Sequence, residues 1–103
     1  MNRPVFRPKA VADLDAIWRY TVARWGTAQA EQYLTAIREI CEGLARGTHP
    51  GRDASAVRPN YRKSQSGRHL IFHRRTQEGS VEIVRILHER MDILEHLGAE
   101  PPE

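Results

Sequence analysis

The segment Val81-Glu82-Ile83-Val84-Arg85-Ile86-Leu87-His88 constrains the fold more than any other stretch of the chain. Both of its parities are largely apolar: Val81, Ile83 and Leu87 fall on one face, Val84 and Ile86 on the other. A strand with one wet face needs only one such set. This strand is therefore expected at the centre of a sheet, covered on both sides. Gln77-Glu78-Gly79-Ser80 forms the turn before it, and Arg68 to Arg74 is its hairpin partner. Ser66-Gly67 turns that partner back onto Asn60 to Gln65, giving an antiparallel meander.

Upstream the apolar period changes from two to three and four. Pro4-Val5-Phe6-Arg7 reads as an edge strand, and Pro8 suits the first turn of a helix, where its missing amide proton is not needed. Val11, Leu14, Ile17, Trp18, Thr21, Val22 and Trp25 then form one helical stripe that ends before Gly26. Asp13 and Asp15 are read as early-turn acids favouring the positive helix end. Thr27 is expected to cap a second helix carrying Ala30, Tyr33, Leu34, Ile37, Ile40, Cys41 and Leu44, ending at Gly47. So short a join makes the two helices an antiparallel hairpin covering one sheet face. Residues 47–59, with Pro50-Gly51 inside, read as an irregular loop. Met91 to Leu97 is a short helix candidate for the other face; without it, that face is open to a partner. The expected class is α+β in one domain spanning residues 1–103, with 98–103 as a flexible tail.

The formal charge is +3, and residues 58–75 hold Arg58, Arg62, Lys63, Arg68, Arg74 and Arg75 without one acid. Such a block attracts an anionic partner or stands as a solvated surface. The apolar runs reach only a few residues, short of the roughly 20 that cross a bilayer. Met1-Asn2-Arg3-Pro4 has no secretory leader pattern, so a cytoplasmic location is expected. Cys41 is alone and reads as a small buried hydrophobe. His69 and His73 share one face of a strand but stand about 13 Å apart, too far to share an ion. No phosphate-binding glycine loop is present, and no metal or cofactor is expected.

RNA cleavage at a 2′-hydroxyl needs a base, an acid and cations around the phosphate. Arg62, Lys63, His73, Arg85 and His88 include those residue types. The structural alternatives are an Arg85 ion pair with an acid such as Asp92 or a helix glutamate, and a His88 that serves the following turn.

The chain resembles the ParE family of bacterial toxins, within the group sharing its fold with RelE-type ribosome-dependent ribonucleases. The resemblance is carried by Ala12-Asp13-Leu14-Asp15-Ala16-Ile17-Trp18-Arg19-Tyr20, by Trp25-Gly26-Thr27-Ala28-Gln29-Ala30 with Tyr33, and by Gly47 to Gly51. It continues through Tyr61-Arg62-Lys63, Gly67 to Arg74, Val81 to His88 and Met91-Asp92. It implies a strand, a helical hairpin and an antiparallel sheet, and a toxin of a type II toxin–antitoxin module. It further implies a non-catalytic inhibitor of DNA gyrase, neutralised by a ParD-like ribbon-helix-helix antitoxin with a disordered tail, and meeting DNA only through those partners. The target surface is expected over Arg62, Arg74, Arg85, His88, Met91 and Asp92, and the antitoxin surface over Leu14, Trp18, Tyr33, Ile37, Arg58 and Arg68. In the enzymatic relatives, lysines and arginines on the sheet plus a C-terminal tyrosine or histidine cut mRNA. Lys63, Arg85 and His88 match those roles in part. Residues 61–90 hold one lysine, and no tyrosine follows Arg85, so no catalytic residue is assigned.

Overall fold

In the computed structural model, which describes residues 3–91 and 93–98, the 81–88 segment has a hydrogen-bonded neighbour on each side. The elements in chain order are β1 (Val5–Phe6), α1 (Pro8–Trp25), α2 (Thr27–Arg46), β2 (Arg52–Asp53), β3 (Arg62–Ser66), β4 (His69–Arg75), β5 (Val81–His88) and α3 (Ile93–Gly98). The sheet order is β1-β5-β4-β3-β2. β1 lies parallel to β5, with Val5 opposite Glu82, and the other pairs are antiparallel. The α+β class, the helical hairpin and the meander stand as expected. The loop after α2 contains an additional strand, β2, only two residues long and exposed on both. So short an edge has no apolar alternation to betray it.

Strand β5 is buried on both faces, but its parity differs from simple alternation. Phe72 pairs with Arg85 and His73 with Ile83, which leaves Val84 as an extra residue, a β-bulge. The bulge turns the strand's phase. Val81, Ile83 and Ile86 face the helices, in one cluster with Ile17, Leu34, Ile37, Cys41 and Ile71. Val84 and Leu87 face the opposite side, in a second cluster with Ala54, Tyr61, Phe72 and Leu97. The expected grouping of Leu87 with Ile83 and of Ile86 with Val84 is thereby corrected. The second face is covered by the 54–61 loop as well as α3, so the open sheet surface allowed by the sequence is absent among the described residues.

Gly26 alone separates the two helices. Its amide donates to Val22 O, its carbonyl accepts from the Ala30 amide, and its φ of 93° suits only glycine. Thr27 is the first residue of α2 and makes no side-chain cap, contrary to expectation. Gly47 ends α2 in the left-handed conformation, with Thr48 N donating to Gly43 O. The first turn of α1 has no acid. Asp13 lies beyond it and has another task, given below. Val11 and Trp25, expected within the apolar stripe, are exposed. Cys41 is buried, and burial pushes its thiol up to about 12, out of reach of thiolate chemistry near neutral pH. No described helix is long and apolar enough to cross a membrane.

Candidate functional site: an aromatic and cationic cleft

Where the C-terminal end of β5 meets the middle of α1, two cavities of about 310 Å³ each share Tyr20, His69 and His88. One is lined further by Ile17, Ile86, Leu87 and Met91, the other by Arg24, Trp25, Tyr33 and Arg68. Tyr20 is 63% exposed, Trp25 66% and Met91 39%. Exposed aromatic area of this kind, edged by guanidinium groups, is the composition of a contact surface. Arg24 lies over the Tyr20 ring at 5.9 Å, a cation–π contact at the surface.

The floor of the cleft is built around one hydroxyl. The Tyr33 oxygen lies 2.6 Å from His69 Nδ1, 3.2 Å from Ser66 O and 3.0 Å from the Arg68 amide. A phenol has one proton to give. All three contacts are satisfied together when Tyr33 donates to Ser66 O and accepts from Arg68 N–H and His69 Nδ1–H. Burial raises the Tyr33 hydroxyl above its usual range. Burial, with the nearby His88, lowers His69, which favours the neutral ring. The His69 and His88 rings meet edge to face at 5.4 Å. His88 Nδ1 accepts from the Arg90 amide, so the turn-satisfying role read from the sequence is present. Arg68 pairs with Glu89 at 3.0 Å and holds that carboxyl below its usual range. Gly67 is required here. A Cβ would meet the Tyr33 ring and hydroxyl at 2.7 Å, and φ is 57°.

The residues expected on the target surface divide. His88 and Met91 line the cleft. Arg85 is committed inward: its Nε and Nη2 donate to both Asp13 carboxylate oxygens at 2.8 and 2.9 Å, and Asp13 also accepts the Ile86 amide. An aspartate on α1, and not the expected Asp92 or helix glutamate, is thus the partner of Arg85. Arg74 donates to Glu82, and Arg62 to the carbonyls of Pro50 and Gly51, at the far end of the sheet. Asp92 lies outside the described residues.

The expected antitoxin residues divide as well. Leu14 and Trp18 line a groove of about 560 Å³ between the two helices, with Leu34 at its base and Asp15, Glu31 and Arg38 around it. Tyr33 and Arg68 belong to the cleft. Arg58 donates to Leu97 O, tying the second core to its loop. Ile37 has no exposed surface and is a core residue, so its place on a binding surface is corrected. Tyr20, Arg24 and His69 were not expected on either surface; His69 was weighed only as a metal ligand with His73. Tyr20 carried one signal, an aromatic residue lying outside the apolar stripe of its helix.

The family profile described as ParE toxin of type II toxin-antitoxin system, parDE, matches residues 5–93. The chain belongs to the ParE toxin family. Toxin ParE1 of Mycobacterium tuberculosis is 42% identical over 92 residues, covering 89% of this chain and 94% of that toxin. Toxin ParE1 of Caulobacter vibrioides is 39% identical over 90 residues, 87% of this chain and 92% of its own length. Toxin ParE of Escherichia coli is 34% identical over 98 residues, 95% of each. A solved structure titled "Chromosomal ParDE TA system from P. aeruginosa" shares the fold, with a TM-score of 0.70 at 24% identity over 84% of this chain and 94% of that one. As a ParE-family protein the chain is the toxin component of a type II toxin–antitoxin module, within the RelE/ParE superfamily.

Proposed function

We propose that this ParE-family toxin acts in the cytoplasm by binding DNA gyrase through the Tyr20–Trp25–Met91 cleft, without cutting a bond. The observation that carries this reading is the exposed aromatic area of α1 beside Arg24 and Arg68. Anchors of this kind supply most of the binding energy in protein interfaces. The ribonuclease reading is weakened by Arg85. Its guanidinium charge is already neutralised by Asp13 in a two-point pair that is only 13% exposed, which leaves little for a phosphate in a transition state. Neutralisation is assigned to a ParD-like ribbon-helix-helix antitoxin whose disordered tail folds into the Leu14–Trp18–Leu34 groove.

The test pairs two assays on one preparation, gyrase supercoiling and mRNA cleavage on ribosomes. The wild-type toxin should block supercoiling and leave mRNA intact. Tyr20→Ala with Trp25→Ala should raise the concentration needed for the block at least tenfold at unchanged melting temperature. Cleavage of mRNA, abolished by His88→Ala, would replace this reading with the enzymatic one. For the antitoxin, Trp18→Ala should weaken binding of the tail about tenfold. Its binding should show a clearly negative heat-capacity change.

A further inference from the structure

At the opposite end of β4 from the cleft, six residues or about 20 Å along the strand, a second constellation has no part in the proposed inhibition. A cavity of about 230 Å³ opens between the C-terminal end of α2 and the strand ends, and its lining brings together Arg62, Arg74, Arg75, His49 and His73. Among the described residues, no carboxylate lines it. A loop, β3 and β4 supply these five groups. The fold brings His49 and Arg62 against the consecutive His73, Arg74 and Arg75, so that four of the five come from the acid-free 58–75 block.

Two of the guanidinium groups are held by the backbone. Arg62 donates Nε to Pro50 O and Nη2 to Gly51 O, both at 3.0 Å. Arg75 donates Nη1 to Gly79 O at 2.7 Å. Five N–H donors belong to each guanidinium, so most of each fork stays unspent while its position is fixed. His73 is buried at the base, its Nε2 lying 3.2 Å from Ser64 Oγ. Gly51 closes over this ring so tightly that a Cβ would stand 2.8 Å from Cε1 and Nε2. The uncompensated charge is felt at that ring. Burial first, then Arg62, His49 and Arg75, push His73 down to about 4. Arg74 is partly offset by Glu82.

We infer that this cavity binds a small phosphate dianion, with Arg62 and Arg75 donating to its oxygens from either side and His49 and His73 facing it. Rigid forks matched to tetrahedral oxygens favour phosphate over a halide of equal ionic strength. The volume suits one phosphoryl group, free or at the end of a larger molecule. The inference does not depend on gyrase as the target.

The test follows the His49 and His73 Cε1–H signals of the full-length toxin by NMR while inorganic phosphate is added, against sodium chloride at matched ionic strength. Saturable shifts of both signals with phosphate and not with chloride are expected. Arg75→Gln should raise the dissociation constant at least tenfold with the fold unchanged by its amide spectrum. His49→Gln, on an exposed loop, is the second variant and should weaken binding severalfold. A parallel titration with a 5′-phosphorylated dinucleotide and its unphosphorylated form distinguishes a terminal phosphoryl group from free phosphate as the ligand. Linear shifts shared by phosphate and chloride, or binding unaffected by both variants, would overturn the site.

Discussion

Asp13 is the residue on which the two halves of the chain are joined. It neutralises Arg85 and also takes the Ile86 amide at 2.8 Å, with both charged side chains only 13% exposed. Removing one member leaves a buried charge and an unsatisfied amide, so Asp13→Ala should lose about 3 kcal/mol, read from the urea midpoint. Arg85→Ala should lose a similar amount; a folded, equally stable Arg85→Ala protein would deny the pair its structural role. His73 makes a separate prediction. Its folded-state value of about 4 lies below the ordinary 6.5, so the unfolded chain binds the proton more readily. Stability held above pH 6.5 is therefore lost as pH falls toward 4, by up to about 3 kcal/mol. His73→Asn should flatten that part of the stability profile relative to the wild type. From sequence, Arg85 was legible as an ion-pair candidate. Its partner was not, because nothing local links residues 72 positions apart.

The elements were legible wherever an apolar period ran for several turns or strand repeats. α1, α2, β4 and β5 fall within one or two residues of their expected bounds. What escaped was phase. Val84 has ordinary strand chemistry, so the bulge that puts Ile86 on the face of Ile83 and Leu87 on the face of Val84 has no local marker; it follows from fitting β5 to β4 across two cores. Trp25 misled in another way. Its spacing continued the stripe, but α1 ends there and leaves the ring beyond the sheet. The second core predicts the weight of α3, whose Leu97 has no exposed surface. Leu97→Ala should cost about 2–5 kcal/mol by transfer and cavity terms, checked by chemical denaturation. A loss under about 0.5 kcal/mol would mean that α3 does not seal that face.

For the molecule as a whole, two apolar layers share one sheet, and β4 and β5 contribute side chains to both. Neither layer can melt without removing a wall of the other, so unfolding is expected in one step. Both tryptophans sit on α1, while far-ultraviolet dichroism averages over every element. Thermal transitions followed by the two signals should coincide in the wild type and in Leu97→Ala. An earlier dichroism transition in the variant would reveal layers that separate. The sheet order has a further consequence, since among the described residues β1 pairs with β5, the strand farthest from it in the chain. Neither that parallel pair nor the Asp13–Arg85 contact can form before β5 has been made. The cleft, whose wall includes His88, therefore cannot exist in any partly made chain that stops short of β5.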